Sequence, residues 1–108
     1  MTASFEAGQV ITIFRNRLRS DGLDEYAATA AEMNRLAQTM PGYVDHKSFT
    51  ADDGERVTVV TFADTESQAA WRRQVDHRAA QRRGRDAFYA EYTLQVGTCT
   101  TAHVFTAT

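Results

Sequence analysis

Tyr43 to Phe49 and Arg56 to Phe62 are two β-prone runs on either side of TADDGE. The Asp53-Gly54 pair in that connection is a strong hairpin signal, because glycine takes positive φ without steric cost. An antiparallel pair therefore stands at the centre of the chain. The rest of the molecule has to be built around it.

Upstream, VITIFRNRL (Val10 to Leu18) is rich in β-branched and aromatic residues and ends before a turn-like SDG, which predicts a strand. Leu23, Tyr26, Ala27, Ala30, Met33, Leu36, Ala37 and Met40 then recur at helical spacing, so DEYAATAAEMNRLAQTM reads as an amphipathic helix. It stops at Met40-Pro41-Gly42, where proline disfavours a helical residue before it. Downstream of the hairpin, Thr65 and Gln68 have the spacing of a capping box for a helix through Trp71. Asp76 can cap a second short helix that closes at Gly84. Residues 88–105 read as a last long strand or strand pair, with Gly97 as a bulge.

The order β, α, β, β, α, β predicts an α+β, ferredoxin-like fold with a four-stranded antiparallel sheet and its helices on one face. One domain over residues 1–108 is expected, with a core of about 10–96 and a C-terminal strand extension, 97–108, open to exchange with a partner subunit. The strands are apolar on both faces. Phe14 and Leu18 lie on one side of the first and Ile11 and Ile13 on the other, and Val60 and Phe62 oppose Val57 and Val59. Helices cover one face only, so the second face is expected to pack against another copy in a homodimer.

With 43% hydrophobic and 24% charged residues and one proline, the chain has the composition of an ordinary globular domain. A net charge of −2 argues against a nucleic-acid or membrane-surface binder. Six of the twelve positive charges fall between Arg72 and Arg85, but without the interleaved aromatics that base stacking needs. Cys99 is alone, which suits a reducing compartment. The N-terminus, MTASFEAGQVITIFR, shows neither a signal-like leader nor a spanning run, so a cytoplasmic protein is expected.

The segments MPGYVDHKSFTADDGERVTVVTF, TESQAAWRR, DHRAAQRRGRDAFYAEY and TLQV resemble the antibiotic biosynthesis monooxygenase family of small dimeric α/β-barrel proteins. The resemblance spans roughly residues 10–96. It implies a pocket between sheet and helices in each subunit. There a small aromatic, quinol or polyketide-type substrate is deprotonated, and its electron-rich anion reacts directly with molecular oxygen. Neither flavin nor metal is implied, because the substrate supplies the electrons. The protein contributes desolvation, orientation and a polar group for the anion. Similar proteins also include haem-degrading enzymes and members without catalytic activity, so a dimeric ligand-binding module and a haem-degrading monooxygenase stand as alternatives.

Asn16, Trp71 and His77 are the catalytic candidates. Asn16 alternates with Phe14 and Leu18, which aims its amide toward the helix-covered side, where it meets a substrate oxygen or a loop backbone. Trp71, the single tryptophan, is a pocket wall or a core anchor. His77 can exchange a proton near neutral pH, or sit as a surface residue at a helix start. Phe14, Tyr26, Thr61, Thr65, Gln81 and Tyr89 complete the expected pocket. Thr61 and Thr65 align with an asparagine and a tryptophan of the polyketide oxygenases, and Trp71 with a tyrosine. Haem-degrading relatives place a ligand histidine nine or ten positions after their tryptophan. Ala80 and Gln81 stand there instead, so haem is not expected. His46 and His103 have no cysteine or carboxylate at ligand spacing, so no metal is expected either.

Overall fold

The computed structural model describes residues 4–74 and 88–107. Four strands, β1 (Val10–Leu18), β2 (Tyr43–Thr50), β3 (Arg56–Phe62) and β4 (Tyr89–Thr98), form one antiparallel sheet in the order β2-β3-β1-β4. Helices α1 (Leu23–Thr39) and α2 (Thr65–Arg73) connect them. This is the expected ferredoxin-like α+β fold. The short helix expected from Asp76 to Gly84 lies outside the described residues.

β1 is central, pairing with β3 from Val10↔Phe62 to Asn16↔Arg56 and with β4 from Val10↔Thr98 to Leu18↔Tyr89. Directly paired residues share a face. Thr12, Phe14 and Asn16 therefore lie on the same side as Thr58, Val60 and Phe62. That side carries the core: Phe62 is fully buried and Trp71 is 9% exposed, Ala37 joins them in one buried cluster, and Met33, Leu36, Met40 and Tyr43 pack around it. Ile11, Ile13, Val57 and Val59 face away from the helices and are half-buried.

α1 ends one residue earlier than its apolar stripe. Pro41 forces Met40 into extended backbone (ψ 139°), and the Met40 amide closes back on the Ala37 carbonyl. α2 is capped by Asp64, not Thr65. The Asp64 carboxylate accepts from the Ser67 amide at 2.8 Å, while the Asp64 amide donates to Ser67 Oγ. Those bonds hold the Asp64 carboxyl below its usual range. Gln68 is thereby free of capping and turns inward.

The expected bulge at Gly97 is not there, since Gly97 pairs regularly with Ile11. The register shifts instead at β1 Arg17/Leu18, where Ala90 is the extra residue of β4, and at β2 Tyr43/Asp45, where Val44 is extra. The last strand is also shorter than the sequence suggests. Gly8 and Gln9 still exchange backbone bonds with Cys99, but no described residue upstream offers a ladder to the residues beyond it. Residues 100–107 accordingly run without strand pairing, leaving Val104 and Phe105 58% and 81% exposed.

Two glycines separate close packing from mere backbone need. Gly54 turns the hairpin at φ 91° with open space where a Cβ would point. Gly42, at φ 82°, would press a Cβ into Ser67 of the α2 cap. Gly42→Ala should therefore cost roughly 3 kcal/mol and Gly54→Ala about 1 kcal/mol, since the second carries only the left-handed backbone penalty. Urea unfolding of the two variants measures the difference.

Candidate functional site

A cavity of about 360 Å³ opens between the helices and the sheet. β1 supplies Thr12 and Phe14 to its floor, and β3 supplies Thr58 and Val60. α1 contributes Tyr26, Ala30 and Met33 to one wall, and α2 contributes Gln68, Trp71 and Arg72 to the other. Phe88, Tyr89, Tyr92 and Leu94 close the β4 side. A volume of this order suits a small organic ligand, and the lining is mostly apolar with a few polar groups. A shallower depression by Arg17, Arg19 and Asp53 is more open to solvent, and its Arg17 already pairs with Asp53 and Glu91.

The β4 end of the cavity is a cluster of rings. Phe14 meets Tyr89 edge-on at 5.3 Å and Tyr92 at 5.4 Å, while Tyr26 meets Phe88 at 5.6 Å and Tyr89 at 5.9 Å. Tyr89 and Tyr92 are three residues apart, a spacing that a regular strand puts on opposite faces. The extra residue Ala90 flips that parity, so both rings turn under the helices and stand 5.7 Å apart. Burial, and then the neighbouring Tyr26, push the Tyr89 phenol well above its ordinary range. It stays protonated at any physiological pH. The bulge at Val44 acts in the same way on β2, bringing Tyr43 Oη within 2.6 Å of His46 Nδ1, although neither lines the cavity.

Trp71 does two things. One side of its indole stacks on Phe62 at 6.3 Å in the core, and it also forms part of the cavity wall. Gln68, one turn earlier, is 4% exposed and donates Nε2 to Thr12 Oγ1 at 3.3 Å. It ties α2 to β1 across the cavity floor.

Asn16 is 2% exposed, and its Oδ1 has no hydrogen-bond partner among the described residues. It lies on the helix face one pleat beyond Phe14, opposite Tyr92, just behind the residues that line the cavity. Phe14, Tyr26, Tyr89 and Trp71 are in the lining, as the sequence suggests. Thr61 and Thr65 are not. Thr61 pairs with Ile11 and points to the other face of the sheet, and Thr65 is exposed at the start of α2. His77 and Gln81 lie outside the described residues, as does Ala80 at the haem-ligand spacing.

Gln68, Arg72, Thr12 and Thr58 line the cavity without having been expected there from sequence, where Gln68 was read as part of a capping box. Gln68 and Arg72 had a readable signal, because both neighbour Trp71 on a helix and are four residues apart, hence on one face. Thr12 and Thr58 had none beyond strand alternation.

A buried, unpaired amide oxygen costs about 1–3 kcal/mol. Asn16→Leu, which removes it while keeping the branching of the side chain, should raise Tm by roughly 4–8 °C for each kcal/mol recovered. A thermal melt by circular dichroism reads this directly, and an unchanged or lowered Tm would show that the oxygen is satisfied in solution.

Residues 9–83 match the family described as antibiotic biosynthesis monooxygenase. An uncharacterized Bacillus subtilis protein, YqjZ, is 30% identical over 79 residues, covering 73% of this chain and 69% of its own. Among solved structures, SnoaB, a cofactor-independent oxygenase from Streptomyces nogalater, superposes with a TM-score of 0.69 at 17% identity, over 91% of this chain and 97% of its own. A protein from Shewanella oneidensis reaches 0.77 at 9% identity, over 94% and 100%. At these identities the structural likeness speaks for the fold, and the sequence match decides the family: this chain belongs to the antibiotic biosynthesis monooxygenase family.

Proposed function

We propose that the protein is a cofactor-independent monooxygenase-like enzyme that oxidises a small aromatic, quinol or polyketide-type substrate with molecular oxygen. The observation that carries this reading is the ring-lined cavity under α1 and α2, with a buried amide oxygen behind its lining that has no partner among the described residues. In the simplest reaction of the kind, a ring methylene becomes a carbonyl. One oxygen atom enters the substrate, the other leaves as water, and all four electrons come from the substrate carbon. What the protein must do is take a proton from the substrate, shield the resulting anion from water and hold it in one orientation.

Trp71, Phe14, Tyr26 and Tyr89 form the aromatic walls of the proposal, and Asn16 Oδ1 is the acceptor reserved for a substrate hydroxyl. No carboxylate or imidazole stands among the described residues of the lining, and the Tyr89 phenol is held protonated. Of the three histidines, His46 is bonded to Tyr43 away from the cavity and His103 is exposed in the C-terminal segment. The proposal therefore keeps His77 as the proton acceptor.

Oxygen uptake against a panel of anthrones, quinols and catechols, with metals chelated and no flavin added, tests the reading. The wild-type protein should consume oxygen with at least one compound. His77→Ala should lose about 10²–10⁴-fold in rate while still quenching Trp71 fluorescence on binding. Binding without oxygen uptake for every compound would instead make the protein a ligand-binding module.

We also infer that it works as a homodimer closed through the face of Ile11, Ile13, Val57 and Val59. Phe49, on the same face, is 52% exposed, and the apolar Val104 and Phe105 are uncovered. Analytical ultracentrifugation should find twice the mass of one chain, and Ile13→Glu, by placing a charge on that face, should halve it.

A further inference from the structure

We infer that Arg72 is a specificity-determining residue and that the cavity selects aromatic acids over their neutral analogues. The inference rests on the reading of the cavity as the substrate site. Among the described residues of the lining, Arg72 is the one that carries a charge; the other polar groups are threonines, an asparagine, a glutamine and tyrosines.

The remaining cations with close partners are engaged elsewhere. Arg15 pairs with Glu55, Arg17 with Asp53 and Glu91, and Arg35 with Glu32. Lys47 and Arg56 lie over the rings of Phe49 and Tyr26. No carboxylate pairs with Arg72 among the described residues. An apolar cavity whose described wall carries one positive charge, with no carboxylate partner among the described residues, favours a ligand that is flat and apolar at one end and anionic at the other. The guanidinium fork matches a carboxylate with two parallel hydrogen bonds.

A simpler role has to be separated from this one. Arg72 and Arg73 both sit in the last turn of α2, where positive charge complements the helix dipole. Arg73 serves that purpose equally and does not line the cavity. Arg72 does, because it lies four residues beyond Gln68 and so shares its face of the helix.

Trp71 is the single tryptophan of the chain and part of the same wall, so quenching of its fluorescence reports binding without a label. The probes are anthracene-2-carboxylate and anthracene-2-carboxamide at neutral pH, titrated into the full chain. The acid should bind about tenfold tighter, as suits a charge-assisted pair that is partly open to water. Arg72→Gln should remove that preference and Arg73→Gln should keep it, with thermal melts confirming that both variants fold. If acid and amide bind alike, or if Arg72→Gln retains the preference, the role of Arg72 is overturned while the cavity remains a ligand site. If neither probe quenches Trp71, the cavity reading falls with it.

Discussion

Everything under the helices depends on β1 being held on both edges. Because β3 and β4 pair with it over nearly its whole length, its alternation is transmitted to the entire sheet. Each even-numbered residue from Val10 to Leu18 is committed to the helix side and each odd one to the other. A slip of one residue in either pairing would carry Phe14 and Asn16 out of the site and put Ile13 and Arg15 in their place. The strong burial of Phe62 opposite Val10 is what makes such a slip costly.

Core and cavity are continuous in this molecule. Trp71 stacks on Phe62 in the best-packed region and lines the hollow beside it, so the wall of the site is as rigid as the core that supports it. Gln68 continues that arrangement with a polar bond to Thr12. The ring cluster at the other end is held by edge-to-face contacts around Phe14 and Tyr89. The aromatics that face the cavity are therefore supported from behind at both ends, which holds their rings in fixed positions.

Much of the fold was legible in the residues themselves. β1 and β3 carry the bounds that their β-branched runs suggest, and the Asp53-Gly54 turn and the stop at Pro41 act as their local chemistry requires. The capping of α2 was off by one residue because both Asp64 and Thr65 are good caps. The choice fell to Asp64 once Gln68 was needed on the sheet side. The site was less legible. Phe14, Tyr26, Tyr89 and Trp71 could be found as large aromatics on buried faces, whereas Thr61 resembles a pocket residue by alignment and yet faces away, since its parity on β3 is odd relative to Phe62.

The amino-acid sequence alone determined the element order, the hairpin and the apolar faces, because periods of two and 3.6 residues and turn chemistry are local properties. Only the tertiary structure decided that Tyr89 joins Tyr92 on the helix side, that the Asn16 oxygen finds no partner among the described residues, and that Arg72 enters the cavity wall. Bulges, hydrogen-bond partners and cavity walls are set by which strand or helix lies alongside. No single segment carries that information.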